Sequence, residues 1–282
     1  MRAAAALRGH WPEYLAEAAG LGAIMLVSAA VTATVEVPLL PVPEGLPPLA
    51  RRTVEGAAIA GTAVAAIHSR WGRRSGAHFN PAVTLTFLAL GKVRPWDAAF
   101  YAVAQVLGGL AGLLTAALLL GDAVRQPPTA WIVTVPGGAG VAAAFLAELL
   151  CAFLLMSLVL ALGGSPRAMR FTGVAAGALI FLYIVFEAPI SGFGLNPARS
   201  LASALPAGVW TAFWIYLLAP PLGMLAAAAL SRALPLWRPM PCAKLIHDTA
   251  TRCIHCGFRP AAAGGPRADR HATDRTGEPS HA

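Results

Sequence analysis

The tripeptide Asn-Pro-Ala occurs twice, as Asn80-Pro81-Ala82 and Asn196-Pro197-Ala198. Each copy lies in an apolar stretch too short to cross a bilayer. Each also has the grammar of a helix start, with Asn as N-cap, Pro at the first helical position and apolar residues behind. The first turn of a helix leaves backbone N–H groups unpaired, at a cost of several kcal/mol each in hydrocarbon. A helix that begins inside a membrane must therefore line something polar. Few folds meet that condition twice.

The surroundings are those of a membrane protein. The 282 residues are 57% hydrophobic and 12% charged, about half the charge of a soluble domain. Apolar runs predict six spans, roughly 11–35, 53–70, 96–120, 139–162, 169–188 and 208–231, each near the ~20 residues a crossing helix needs. The proline-rich stretch 36–50 and the stretch 121–138 read as loops, and 163–168 as a tight turn. The first run is long enough to span and lacks a clear signal cleavage site. The net charge of +8 does not call for nucleic acid, because its placement accounts for it. Arg70, Arg73, Arg74, Lys92, Arg94, Arg167 and Arg170 fall in loops on one side, joined by Arg2, Arg8 and the basic C-terminal residues. That bias predicts a multi-pass protein of an inner or plasma membrane with both termini cytoplasmic. Arg51 and Arg52, on the opposite side, run against it.

The chain repeats itself. Glu17 in the first span and Glu148 in the fourth each precede an Asn-Pro-Ala copy, and Gln105 and Pro220 each follow one. Each half, about 11–120 and 139–231, has three spans with a short element between the second and third. An odd number of spans forces the halves into opposite orientations and puts the functional site at their interface near the midplane. The fold class is thus all-α, and residues 1–238 form one channel domain.

Pro81 to Leu90 makes about 15 Å of helix, half a bilayer. Pro197 to Leu205 is similar, with Pro206 expected to stop it. The two should dip in from opposite sides and meet centrally. Asn80 and Asn196 cap them, with side-chain amide hydrogens left free for a cavity. The irregular backbone before each offers carbonyls, from Gly76, Ala77 and His78 in one half and Gly192, Phe193 and Gly194 in the other. Each helix start carries roughly +0.5 of an elementary charge, so two facing each other oppose cations, and Arg199 adds a full charge. An ion would also lose hydration worth on the order of tens of kcal/mol. The expected cargo is water and small neutral solutes, with ions and protons rejected. The chain contains no nucleophile elbow, phosphate loop or paired catalytic carboxylates, so no enzyme and no required cofactor are expected.

At this point the chain resembles the aquaporin, or major intrinsic protein, family, in a bacterial-type form. The likeness rests on Ser75-Gly76-Ala77-His78-Phe79-Asn80-Pro81-Ala82-Val83-Thr84, Asn196-Pro197-Ala198-Arg199-Ser200, Glu17, Glu148, Gln105 and Pro220. It implies six tilted helices plus two re-entrant half-helices, one pore per subunit and a homotetramer. It also implies that Glu17 and Glu148 anchor the re-entrant loops. Counting from the two asparagines, it places a selectivity constriction at Ala60, Ile184, Phe193 and Arg199. Strict water channels of this family have an aromatic residue and a histidine where this chain has Ala60 and Ile184. Ser200 after the arginine follows the water-channel pattern, while Tyr216 and Leu217 mix styles. Water passage follows, and exclusion of glycerol does not. The alternatives are a facilitator of glycerol, other small polyols or metalloid acids, or a membrane protein regulated by metal or a partner through its tail.

Residues 239–282 are polar, with Pro, Gly, Arg and His, and read as a flexible cytoplasmic tail. Within it, Cys242, His247, Cys253 and Cys256 could hold zinc. The plainer alternative is a set of reduced cysteines in a flexible segment.

Overall fold

In hydrocarbon the backbone must satisfy its own hydrogen bonds, which these alanine- and leucine-rich runs do as helices. The computed structural model describes residues 2–37, 46–234, 238–247 and 250–260, with no strand among them. The rest of the proline-rich loop and of the polar tail lie outside the described residues. In chain order the helices are α1 (Ala3–Glu36), α2 (Pro48–His68), α3 (Arg70–Ser75), α4 (Pro81–Ala89), α5 (Pro95–Leu120), α6 (Asp122–Arg125), α7 (Gly140–Gly163), α8 (Thr172–Phe186), α9 (Ala188–Ser191), α10 (Pro197–Ala207) and α11 (Trp214–Ala233).

Among the described residues, five helical stretches, α1, α5, α7, α11 and Met169–Phe186, which α8 completes, are long and apolar enough to cross a membrane. The remaining expected span, α2, has 21 residues but starts with Arg51, Arg52 and Glu55. Both arginines have local partners. Arg51 donates to Glu36 Oε2 at 2.7 Å, and Arg52 donates to Val185 O at 2.9 Å, at the C-terminal end of α8. Their exception to the charge bias therefore has a structural cause. Large apolar side chains such as Leu118, Leu119, Leu146 and Phe186 face outward and exposed, as lipid-facing residues do.

The two halves repeat one packing scheme. α1 packs on α5 as α7 packs on α11, and α2 meets α8 between the halves. Lipid tails offer no hydrophobic drive for these pairings, so close approach through small residues must supply the attraction. A methyl group built at Gly108 would run into the backbone oxygen of Ala18, and one at Gly223 into that of Leu149. These two glycines sit at matching crossings of the two halves.

The halves run in opposite senses. At one end, Arg252 donates to Gly9 O at 2.6 Å and His255 to Ser75 O at 3.0 Å. Also there, Arg232, near the end of α11, donates to Ala89 O at 2.7 Å. The start of α1 and the ends of α4 and α11 therefore share the tail end. At the other end the start of α2 meets the end of α8.

Two expectations are corrected. Pro206 does not stop α10, which runs through Ala207 until Gly208, at φ +65°, closes it by donating to Ala204 O at 2.9 Å. Pro206 lies in the last turn, where it removes only one intrahelical bond. Further, the segment read as a flexible tail has buried residues as far as Ile254 among its described residues. Met240, Cys242, Ala243, Lys244, Leu245, Cys253 and Ile254 are all buried. Composition marked this stretch as polar, but Met240, Ala243, Leu245 and Ile254 turn inward together with Cys242, Cys253 and Lys244, while Cys256 stays exposed.

Candidate functional site

The two re-entrant stretches show the same construction. Asn80 caps α4 by accepting from Ala82 N at 2.8 Å, and Asn196 caps α10 by accepting from Ala198 N at 3.0 Å and Arg199 N at 3.3 Å. The approach to each cap needs left-handed backbone at non-glycine positions, Ala77 and Phe79 in the first half, Phe193 and Leu195 in the second. Such conformations cost roughly 1–2 kcal/mol per residue, so something must hold them.

Glu17 and Glu148 do. Glu17, fully buried, accepts from Ser75 Oγ at 2.6 Å, His78 N at 3.1 Å, Phe79 N at 2.6 Å and Gln105 Nε2 at 2.8 Å. Glu148, also fully buried, accepts from Ser191 Oγ at 2.7 Å, Gly194 N at 2.6 Å and Leu195 N at 2.5 Å. A charged acceptor makes each such bond worth about 1.5–3 kcal/mol, enough to outweigh the backbone strain. A second pair of anchors escaped the sequence reading. Tyr101 donates to Ser75 O and Tyr216 to Ser191 O. Tyr216 therefore braces a loop, whereas the family resemblance reads it only as a mark of selectivity style. The serine of each Ser-Gly pair and a tyrosine at similar spacing downstream were the available signal.

The two caps meet. Asn80 Nδ2 donates to Leu195 O and Asn196 Nδ2 to Phe79 O, both at 2.8 Å. This corrects the expectation that both amide hydrogens of each asparagine stay free. One stitches the halves together across the midplane, and only the second remains for the lumen. The stitch fixes the separation of the two positive helix starts, which a pair of unlinked caps would not.

A cavity of about 150 Å³ runs past this junction, enough for several waters in file. Its wall includes Asn80, Asn196, Phe193 and Arg199, with Ala77, His78, Phe79, Gly194 and Leu195 from the loops. Ile59, Ala63, Ile67, Ala176 and Ile180 give it a greasy side. Pro81, Ala82, Pro197 and Ala198 form the first turns behind the asparagines, with Ala82 and Ala198 fully buried. Gly76 and Gly192 hold the left-handed turns where the loops begin. Ala60 and Ile184 are buried but not on this wall. Ile59 and Ile180 line it nearby, while the backbone oxygen of Ala60 lies next to Gly177 and the Ile184 side chain next to Gly56 across the α2–α8 contact.

Arg199 is held by a strained turn. Ala130, Trp131 and Ile132 are all left-handed, and Ile132 O accepts from Arg199 Nη1 at 2.8 Å. The guanidinium is thereby fixed on the cavity wall, where its charge adds to that of the two helix starts. The His78 imidazole lies on the same wall. Its Nδ1 pairs with Thr84 Oγ1 at 3.0 Å, and its Nε2 donates to Ala243 O at 2.7 Å.

Cys242, His247, Cys253 and Cys256 also converge. Their ligand atoms all lie within 4.8 Å of one another.

Comparison with known proteins follows this geometry. Residues 6–231 match the family described as major intrinsic protein. Aquaporin NIP1-4 of Oryza sativa subsp. japonica is 39% identical over 179 residues, covering 62% of this chain and 63% of that protein. Aquaporin NIP6-1 of Arabidopsis thaliana is 40% identical over 174 residues, covering 61% and 55%. The chain thus matches less than two thirds of the length of these curated relatives. They are plant proteins, which gives no support to the bacterial type expected above. Among solved structures, the aquaglyceroporin from Plasmodium falciparum superposes with a TM-score of 0.68 at 22% identity, over 81% of this chain and 98% of that one, a likeness of fold. With the family match spanning all six long helices, both half-helices and the central junction, the chain belongs to the major intrinsic protein family.

Proposed function

We propose that the chain is a passive, non-enzymatic channel for water and small neutral solutes that rejects ions and protons. One observation carries the reading: the crossed bonds from Asn80 to Leu195 and from Asn196 to Phe79 hold two helix starts tip to tip on one cavity wall. A water at that junction accepts from the free amide hydrogens while both helix termini and Arg199 repel positive charge. Its hydrogen bonds are replaced as it passes, whereas an ion's hydration is not.

The apolar wall from Ile59 to Ile180 favours a second, wider reading, in which glycerol or another small polyol also passes. Phe193 then sets the size limit, with Ala60 and Ile184 shaping the wall from behind. The basic loops and both termini face the cytoplasm of an inner or plasma membrane, and four copies assemble with one pore each.

The test is stopped-flow swelling of proteoliposomes together with a voltage-clamped bilayer. Water flux well above empty vesicles, with low temperature dependence and no ion current, supports the proposal. Vesicles that swell no faster than empty ones, under conditions that also release the tail described below, would contradict it.

A further inference from the structure

The described tail residues, 238–247 and 250–260, pack at the tail end of the chain, next to the cavity. Leu245 is itself part of the cavity wall, and its N–H donates to Gly76 O at 3.1 Å. Two residues earlier, Ala243 O takes the bond from His78. The segment also reaches both halves around the opening. Arg252 lies 3.5 Å from Glu13 of α1, and His255 donates to Ser75 O beside the first re-entrant loop. In the second half, Met240 packs on Gly163, and His247 N donates to Met169 Sδ at 3.2 Å.

Nothing regular holds this segment together. It has no helix or strand among its described residues, and a stretch this short needs a crosslink to keep one shape. Four soft donors gather inside it. Cys242 Sγ is 3.3 Å from Cys253 Sγ, and His247 Nε2 is 3.3 Å from Cys256 Sγ. A tetrahedral zinc, with bonds of about 2.3 Å to sulfur and 2.0 Å to nitrogen, sets its ligand atoms roughly 3.5–3.8 Å apart. Every pair here is within 4.8 Å, so side-chain rotations suffice. A disulfide would use two of the four and leave the convergence of His247 and Cys256 without a cause.

We propose that Cys242, His247, Cys253 and Cys256 bind one zinc ion, and that the bound ion staples this segment over the pore mouth with Leu245 as the stopper. The second half of this proposal rests on the pore reading above; the first does not. Zinc is the metal that three thiolates and an imidazole in a tetrahedron select. Removing it frees Leu245 and opens the mouth.

The test uses the full chain and the double variant Cys253→Ser/Cys256→Ser, both purified under reductant and reconstituted. The wild type is expected to carry about one zinc per chain by elemental analysis, and cobalt should give the intense visible bands of a tetrahedral thiolate site. Both signals should vanish in the variant. Water permeability of wild-type vesicles should rise several-fold with a membrane-permeant zinc chelator and fall back when zinc is returned. The variant should be open throughout, and Leu245→Ala should bind zinc yet leak water. Equal metal content in wild type and variant, or a Cys242–Cys253 disulfide released only by a reductant, would overturn the site. Zinc bound but permeability unmoved by chelation would overturn the staple. If no form conducts water, the pore reading fails instead, while the metal and cobalt results still decide the site.

Discussion

Replacing Glu148 with glutamine tests what holds the second re-entrant loop. The carboxylate takes three bonds, from Ser191 Oγ, Gly194 N and Leu195 N. A carboxamide has one acceptor oxygen. If it keeps Ser191 and Gly194, each of those bonds falls from charge-assisted to neutral strength, a loss of about 1 kcal/mol apiece. Its NH₂ then faces the Leu195 N–H, donor against donor, leaving a buried backbone group unsatisfied at about 1–3 kcal/mol. The total is about 3–5 kcal/mol. At about 2–4 °C per kcal/mol for a chain of this size, the apparent midpoint should drop by roughly 6–20 °C. Tryptophan fluorescence of detergent-solubilised protein reads it, with all variants heated at one scan rate because unfolding of such proteins is often irreversible. Glu17→Gln gives an internal comparison. It too loses one backbone bond, to Phe79, because Gln105 can turn its unpartnered Oε1 toward the new NH₂. The two variants should match within about 1–2 kcal/mol. Midpoints indistinguishable from wild type in both would refute the anchoring argument.

Tyr216→Phe removes the hydroxyl that holds Ser191 O and should cost about 1–2 kcal/mol, read as a smaller midpoint shift with water flux retained. Phe193→Ala should raise glycerol permeability relative to water in chelator-treated vesicles; an unchanged ratio would remove Phe193 from the constriction. Arg199→Ala takes a fixed charge from the lumen and should admit a proton leak, visible as faster decay of an imposed pH gradient. An unaltered decay would assign proton rejection to the helix starts alone.

The half-helices were legible because their signal is local. An Asn-Pro start in an apolar run has one good structural solution, and Glu17 and Glu148 stand out as carboxylates in hydrocarbon with too few alternatives. What stayed hidden depends on contacts between distant segments. The crossed asparagine bonds need both loops in place, and the role of Tyr216 depends on where Ser191 ends up. Arg51 and Arg52 broke the charge rule until Glu36 and Val185 O appeared beside them. The tail misled because polar composition averages over a segment, whereas burial of Cys242, Lys244 and Leu245 depends on a surface supplied by the rest of the chain. Counting residues from Asn80 and Asn196 pointed to Ala60 and Ile184, while Ile59 and Ile180 face the cavity. From Ala60 to Ile59 is one residue, which turns the side chain by about 100°, whereas Ile184 is four residues past Ile180, about one turn along the same face of α8, and differs from it in depth rather than in direction.

Water and proton flux measured in the same zinc-depleted vesicles would probe the facing helix starts most directly. Rapid shrinkage on an osmotic step, with an imposed pH gradient that decays no faster than in protein-free vesicles, is the expected result. Proton decay that speeds up in step with water flow would contradict it, because the two helix termini joined through Asn80 and Asn196 would then form no barrier to charge.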